Sequence, residues 1–205
     1  VRANRNGNAY FPRRARLVTR ILADAGYDCG LAGKLHLSAA YGRVEVRPDD
    51  GYRVFKWSHH PQPEPFWPTE RHHYQKWLRQ QGVDWDRAYG AGHVEGSVVQ
   101  KSYQPGIEAR YHQTTWCANE AIQFMTAQRK GPWLISVNPY DPHPPFDPPA
   151  EYLERMDVSN MPLPLFQPEE LQSQLAFRRI DHQTRTPRSP DSYDSRRMVA
   201  AYYAQ

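Results

Sequence analysis

Residues 21–36 read ILADAGYDCGLAGKLH, a helix-like segment followed by a short apolar one. Apolar residues from Leu17 to Ala25 recur at helical spacing, and Gly26 suits the left-handed position that commonly follows a helix. Residues 28–33 are short, apolar and bounded by glycine, which is typical of a buried parallel strand. A helix that leads directly into such a strand is half of a βαβ unit. The sequence therefore predicts an α/β fold with a mostly parallel sheet.

The same order of elements returns at residues 112–146. Residues 112–129 predict a helix, and the residues expected near its buried face are Trp116, Ala118, Ala121, Ile122 and Met125. Gly131 and Pro132 end this helix, and Trp133–Val137 predict a second strand. Ligands of open α/β sheets bind outside the carboxyl ends of the strands. We therefore expect the loops that leave both strands to share a binding edge.

Three side chains in these loops can serve an anionic ligand. Lys34 and His36 follow the first strand, and His143 follows the second. A lysine ammonium is a compact charge with three donors, and a histidine can donate or accept, so the set suits a tetrahedral oxyanion. If residues 33–37 stay extended, Lys34 and His36 point to the same side. Taken alone, each would more often be a solvated lysine or a structural histidine.

His143 lies between Pro142 and Pro144 in the segment DPHPPF. Proline fixes its own φ and restricts the residue before it, so the imidazole is presented with little entropy left to lose. Asp141 could orient His143 or form a turn, and turn formation is favoured because aspartate commonly initiates turns.

The rest of the chain predicts shorter elements and long connections. Helical segments are expected at 70–81, 168–180 and 195–205, with a helical turn at 150–156. Residues 37–70 lack a sustained period and contain five prolines, so they predict an extended excursion over the domain surface. Within it the stretch from Trp57 to Trp67 is expected to pack on the surface, and the alternative is a wall beside a sugar substrate. Residues 83–106 predict a loop or a short hairpin.

Composition sets limits on function. The 205 residues are 39% apolar and include 19 prolines, and the formal charge is +4. The densest basic cluster, Arg13-Arg14-x-Arg16, predicts a solvated helix face and no nucleic-acid site, because aromatic residues do not interleave it. Without a run of 18 apolar residues, no membrane span is predicted. Cys29 and Cys117 form neither a metal pattern nor a disulfide framework, and they predict buried free thiols.

Other catalytic patterns are missing from the sequence. The adjacent pairs His59-His60 and His72-His73 lack flanking ligands at metal-site spacing, so no metal site is predicted in this chain. There is no Gly-x-Ser-x-Gly nucleophile elbow, no Walker loop and no dinucleotide fingerprint.

Two motifs carry a family resemblance. The pattern GYxxGxxGKxH at residues 26–36 resembles the second signature of the sulfatases, in the alkaline phosphatase superfamily. The pattern DPHxPF at 141–146 is similar to the loop that follows a later core strand in those enzymes. DDGY at 49–52 and AAYY at 200–203 resemble the family too, in the family's order.

The resemblance implies an alkaline-phosphatase-like sandwich with long irregular insertions, and hydrolysis of sulfate esters by the full-length enzyme. Carried over by position, Lys34, His36 and His143 are the catalytic and substrate-binding residues on the sulfate and leaving-group side. The implied ligand is a sulfated small molecule or sulfated carbohydrate, and the implied location is periplasmic or secreted.

The resemblance also implies calcium and a formylglycine, which the family makes from Cys or Ser in a Cys/Ser-x-Pro-x-Arg motif. Neither Cys29 nor Cys117 lies in that motif, and the calcium ligands are not recognisable. Residues 1–205 are therefore expected to be part of a sulfatase amino-terminal catalytic domain, without the upstream nucleophile region and the downstream metal-ligand region. Alone, such a piece is expected to be inactive.

Two alternatives stay open. A phosphoesterase or phosphonate monoester hydrolase of the same superfamily would act on a similar tetrahedral group. A non-catalytic carbohydrate-binding relative would keep the fold without the nucleophile. An upstream Cys/Ser-x-Pro-x-Arg motif would favour catalysis, and its absence would favour binding alone.

Overall fold

The structure is a computed structural model that describes residues 14–35, 37, 47–59, 72–84, 88, 106–177, 187–192 and 194–205. Its strands are β1 (Asp28–Gly33), β2 (Val54–Trp57) and β3 (Trp133–Asn138). Its helices are α1 (Val18–Asp24), α2 (His73–Gln80), α3 (Gln113–Thr126), α4 (Ala150–Leu153), α5 (Glu170–Phe177) and α6 (Ser195–Ala204), with short 3-10 turns at Ala109–Tyr111, Val158–Asn160 and Pro190–Ser192. The chain divides into two compact units, residues 1–91 with 107–141, and residues 92–106 with 142–205.

β1 is the central strand of the sheet in the first unit. Both neighbours run parallel to it, in the order β2-β1-β3, and Gly30 is level with Val54 and Ile135. Leu22 of α1 packs on the cluster that holds Cys29 and Leu31. The predicted α/β fold with a parallel sheet is confirmed.

The other face of β1 carries α3. A β-carbon at Gly30 would lie 2.6 Å from the Phe124 ring of α3, so glycine is needed for the helix to pack this closely. Since successive residues of a strand face opposite ways, α1 and α3 cover opposite faces of β1. Burial on both sides explains why residues 29–33 of the strand are all apolar.

The predicted excursion at 37–70 is wrong over residues 54–57, which form β2. This strand is only four residues long, too short for its alternation to stand out from the sequence. Its Lys56 faces α3, where Nζ lies 3.1 Å from a carboxylate oxygen of Glu120. Trp57 is 4% exposed and belongs to the core beside β1, so it is neither a surface residue nor a wall for substrate.

The predicted buried face of α3 needs correction. Ile122 is 51% exposed and Met125 42% exposed, and Ala118 is exposed as well. The residues that are buried are Gln113, Trp116, Cys117, Ala121 and Phe124. Hydrophobicity alone did not find Gln113, which is buried because its side-chain amide donates to the His59 carbonyl oxygen at 2.7 Å. The helix is therefore rotated from the face that its apolar residues suggest.

The remaining helix predictions agree with the structure within a few residues. α2 falls within the predicted 70–81, and Gly82 follows it with φ of +73°. α4, α5 and α6 fall within the segments predicted at 150–156, 168–180 and 195–205, although 178–180 lie outside the described residues. The loop or hairpin predicted at 83–106 lies almost wholly outside them too.

The second unit is held by contacts of α6. The guanidinium of Arg196 donates to the carbonyl oxygen of Ser159 at 3.1 Å. The rings of Tyr202 and Phe146 meet edge to face at 5.8 Å between centroids. The side chain of Asp194 caps α6 by accepting from the backbone N–H of Arg197 at 3.0 Å.

Both cysteines are buried free thiols, as predicted. Among the described helices none is both long enough and apolar enough to span a bilayer.

Candidate active site

Lys34 leaves the carboxyl end of β1 beside the end of β3. Its backbone N–H donates to the Asn138 carbonyl oxygen at 2.7 Å, and its own carbonyl oxygen accepts from the Asn138 side-chain amide at 3.1 Å. These two bonds continue the pairing of the parallel strands by one residue. They fix the backbone from which the lysine side chain starts.

The glycine before Lys34 has a physical reason. Gly33 has φ of +115°, a region that residues with a β-carbon rarely adopt. A β-carbon there would lie 1.9 Å from the Asn138 carbonyl oxygen. The last glycine of the GYxxGxxGKxH motif is therefore required for the two strand ends to approach each other and for Lys34 to leave the sheet in this direction.

The Lys34 side chain ends over an aromatic ring. Its Nζ lies 5.1 Å from the centroid of the Tyr140 ring, within the distance of a cation–π interaction. Tyr140 is 3% exposed and also contacts the His59 ring, with 5.9 Å between centroids. The ammonium that the sequence assigned to an anionic ligand thus lies at the carboxyl edge of the sheet, as expected.

His143 lies in the second unit and is exposed. Its Nδ1 is 2.7 Å from the Pro144 carbonyl oxygen. A carbonyl oxygen only accepts, so Nδ1 carries the proton and Nε2 is the acceptor of the neutral ring. The loop thereby selects one tautomer of the imidazole.

The three predicted site residues are not all tested by the structure. His36 lies outside the described residues. Lys34 and His143 belong to different units, which are described separately, so their convergence on one ligand stays a prediction.

A buried polar cluster that the sequence did not reveal lies at the start of α3. The Asp141 carboxylate accepts from the Thr114 hydroxyl and lies 3.7 Å from Nδ1 of His112. His112 is the N-cap of α3, and its Nδ1 accepts from the backbone N–H of Thr114 at 3.4 Å. A carboxylate is stabilised at a helix amino terminus. The chain turns at Asp141 as predicted, but its carboxylate has a further role in joining the end of β3 to α3.

The histidines around α2 have structural partners. His72 is buried at the N-cap of α2 and accepts from the backbone N–H of Gln75 at Nδ1, at 3.3 Å. The backbone N–H of His59 lies 3.1 Å from Nε2 of His72, and a neutral imidazole accepts at only one of its two nitrogens. His73 accepts from the backbone N–H of Trp57 at 3.2 Å. Burial lowers the pKa of His73, which favours this neutral, accepting ring.

A shallow cleft of about 610 Å³ lies at the amino ends of the strands, between α1 and residues 47–53. Three arginines line it, and each is paired with an aspartate: Arg20 with Asp49, Arg47 with Asp50 and Arg53 with Asp28. Since the charges of these arginines are already compensated, this cleft is a weak candidate for an anion site.

Comparison with solved structures finds the same fold in two enzymes. Phosphonate monoester hydrolase SpPMH from Silicibacter pomeroyi superposes with a TM-score of 0.63 at 18% identity, over 99% of this chain and 43% of that chain. Phosphonate monoester hydrolase of Agrobacterium radiobacter superposes with a TM-score of 0.64 at 23% identity, over 98% of this chain and 42% of that one.

The chain spans less than half the length of each matched structure. Phosphonate monoester hydrolases belong to the alkaline phosphatase superfamily, so the likeness confirms the predicted alkaline-phosphatase-like fold class. Neither the protein-family models nor the curated proteins gave a match to the sequence.

Proposed function

We propose that this chain forms part of the active site of a hydrolase that cleaves sulfate esters, with Lys34, His36 and His143 on the sulfate and leaving-group side. The observation that carries the proposal is the position of the Lys34 ammonium, over Tyr140 at the carboxyl end of the central strand. That edge is where open α/β sheets bind ligands. The fold shared with two solved hydrolases supports it.

Lys34 would act on the charge of the ester. Its ammonium can donate hydrogen bonds to sulfate oxygens, and donors held in place before the reaction stabilise the charge that develops in the transition state. The ring of Tyr140 and the backbone bonds to Asn138 hold this donor in place. Lys34 needs no change of protonation for this role.

His143 would act on the leaving group. Its Nδ1–H is bound to the Pro144 carbonyl oxygen, which fixes the ring, and Nε2 would be the atom that exchanges a proton with the ligand. In the protonated ring, Nε2–H can transfer its proton to the ester oxygen as that oxygen departs. The flanking prolines hold the imidazole for this step.

The nucleophile and the metal are assigned outside this chain. Calcium and formylglycine are implied by the sulfatase resemblance, but the two cysteines do not fit a formylglycine. Cys29 lies within β1, in the core beside α1, and Cys117 is a buried residue of α3 in a cluster with residues of α2. We propose that residues 1–205 are part of a longer catalytic domain whose other segments supply both groups.

The second candidate is a phosphonate monoester hydrolase. The two solved structures that share the fold carry that name, which favours this substrate class. A phosphonate monoester also places oxygens tetrahedrally around its central atom, so Lys34 and His143 would have the same roles. A non-catalytic carbohydrate-binding relative is the third candidate, and the burial of Trp57 removes one of the rings that a sugar could stack on.

A substrate panel separates the candidates. The enzyme that contains this chain would be assayed with p-nitrophenyl sulfate, a p-nitrophenyl phosphonate monoester and p-nitrophenyl phosphate, which share one leaving group. The proposal expects the highest kcat/KM with the sulfate, and a fall with Lys34→Ala. Lys130→Ala is the matched control, because Lys130 is an exposed lysine at the other end of the sheet. Preference for the phosphonate would overturn the substrate class, and no turnover of any ester would favour the binding protein.

A further inference from the structure

The positions of Asn138 and Tyr140 relative to Lys34 suggest a role that the motifs did not indicate. Asn138 ends β3 and binds the Lys34 backbone. Tyr140 lies two residues further along and places its ring against the Lys34 ammonium, 5.1 Å from the centroid. The same short segment therefore contacts the lysine both at its backbone and at its ammonium group.

The Tyr140 ring is itself held by a row of rings. It contacts His59 at 5.9 Å between centroids, and His59 contacts Trp57 at 6.0 Å. Trp57 is in turn level with Gly33 in the sheet, one residue before Lys34. The row thus runs from the neighbouring strand back to the lysine, and all three rings are buried. A ring packed in this way cannot swing aside when the lysine moves.

A lysine side chain without support has many rotamers, and holding it in one of them costs conformational entropy. The negative face of an aromatic ring attracts an ammonium without taking up its hydrogen-bond donors. A lysine whose ammonium already lies on such a ring loses less conformational freedom when a ligand binds it.

We propose that Tyr140 is a positioning residue for Lys34, and that it acts through its aromatic ring. The kinetic part of this inference rests on the proposed hydrolase function, whereas the structural part does not. Tyr140→Phe keeps the ring and removes the hydroxyl, and Tyr140→Leu removes the ring while keeping an apolar side chain. Comparing the two substitutions therefore separates the effect of the aromatic ring from the effect of the hydroxyl group.

The structural part is tested by NMR on the chain itself. The sequence contains five lysines, so their ε-CH₂ signals can be resolved, and Lys34→Ala assigns the one from Lys34. Protons over a ring face are shifted upfield by its ring current. We expect an upfield Lys34 signal that persists in Tyr140→Phe and moves to the position of the other lysines in Tyr140→Leu. An unshifted Lys34 signal in the unmodified protein would overturn the proposal.

A second measurement needs no variant and guards against misfolding of Tyr140→Leu. In the unmodified chain, Lys34 ε-protons and Tyr140 ring protons should show a nuclear Overhauser effect. Its absence in folded protein would overturn the proposal as well.

The kinetic part is tested in the enzyme that contains this chain. Tyr140→Leu should lower kcat/KM by about 3- to 30-fold, the range expected from loss of a partly desolvated cation–π contact. Tyr140→Phe should recover most of that loss. In a Lys34→Ala background Tyr140→Leu should have no further effect, because a residue that acts only through Lys34 has nothing left to position.

The outcomes distinguish the two proposals. Equal losses in Tyr140→Phe and Tyr140→Leu, or additive losses with Lys34→Ala, would show that Tyr140 does not act by positioning Lys34. If the ring-current shift is present but Lys34→Ala leaves turnover unchanged, Tyr140 does position the Lys34 side chain, and the proposed hydrolase role of Lys34 is wrong.

Discussion

Asn138 forms two hydrogen bonds with Lys34, accepting from its backbone N–H at 2.7 Å and donating its side-chain amide to its carbonyl oxygen at 3.1 Å. The first bond belongs to the sheet, since a backbone carbonyl is present whatever the residue. The second depends on the asparagine side chain. It satisfies a carbonyl group just where the regular pairing of β1 and β3 ends.

Asn138→Ala should therefore lower the free energy of unfolding by about 1 kcal/mol, the usual net contribution of one hydrogen bond. Asn138→Asp should lower it further at pH 7, because a carboxylate would face the Lys34 carbonyl oxygen without a proton to donate. Urea denaturation of both variants measures the difference. An aspartate variant as stable as the unmodified chain would contradict the assigned bond.

Gly33→Ala should be among the most destabilising single substitutions in the chain. It combines a φ of +115° with a β-carbon 1.9 Å from a backbone oxygen that cannot move without parting the strands. We expect the free energy of unfolding to fall by more than about 3 kcal/mol, as at other strained or overpacked sites. Gly82→Ala is the control, because Gly82 also has positive φ but open space around it, and it should lose only about 1 kcal/mol. Similar losses in the two variants would show that the clash is relieved.

The sequence predicted the elements that have a clear hydrophobic periodicity or that end at a glycine or proline. β1, β3 and α3 were predicted within a few residues because each is long or bounded by glycine or proline. Gly26 was predicted as the residue after a helix, and its φ is +90°. These features depend on local sequence, so they can be inferred without knowing the tertiary structure.

The features that were missed depend on contacts between distant residues. β2 is held as a strand by pairing with β1 and not by its own four residues. Asp141 accepts a hydrogen bond from the hydroxyl of Thr114, which lies 27 residues earlier in the chain. Tyr140 contacts Lys34, which lies 106 residues earlier. No local period connects such pairs. The motif made Lys34 a candidate site residue, but it did not indicate that Asn138 and Tyr140 contact it.

Asp28 should make the first unit sensitive to acid. Its carboxylate binds Arg53 and Arg129, each with Nε at 2.6 Å, and hydrogen bonding by Arg53 is the main cause that lowers its pKa from 3.8 to about 2. A carboxyl group with a lower pKa in the folded state stabilises the fold above pH 3.8, and that contribution is lost as the pH falls to about 2.

Asp28→Asn should thus lower the free energy of unfolding by about 1 kcal/mol at pH 7 and by almost nothing below pH 2. The value at pH 7 is small because Arg53 is exposed to solvent, which weakens the ion pair. Chemical denaturation from pH 7 to pH 2 measures this convergence. Asp49→Asn is the control, because Asp49 is exposed and has a single 3.2 Å contact with Arg20. A constant difference between Asp28→Asn and the unmodified chain across this range would contradict the ion pairs.

Cys117 should resist thiol reagents while the chain is folded. Burial is the main cause that raises its pKa to about 12, so almost none of it is thiolate at pH 8. Its labelling by a disulfide reagent should follow the unfolding rate and become rapid in urea. The thiol of Cys29 is also buried, so a Cys29→Ala variant isolates the signal of Cys117. Stoichiometric labelling of folded protein within seconds at pH 8 would contradict the assigned burial.

The last prediction concerns turnover by the enzyme that contains this chain. Lys34 is half-buried at the edge of the sheet, and His143 is exposed, so truncating either side chain should leave the fold intact. If Lys34 donates to the charge that develops on the ester, Lys34→Ala should lower kcat/KM by about 10²- to 10³-fold.

His143→Ala should lower kcat/KM by a similar factor. If the protonated imidazole is the acid that protonates the leaving group, His143→Ala should also abolish the decrease of kcat/KM at high pH. An activated leaving group such as p-nitrophenolate needs less protonation as it departs. The loss of kcat/KM in His143→Ala should therefore be smaller with a p-nitrophenyl ester than with an alkyl ester. Steady-state kinetics with both ester types, beside thermal melts and the Lys130→Ala control, measure these effects. Near-normal kcat/KM in both variants at unchanged melting temperature would show that Lys34 and His143 are structural and that the carboxyl edge of the sheet is not the active site.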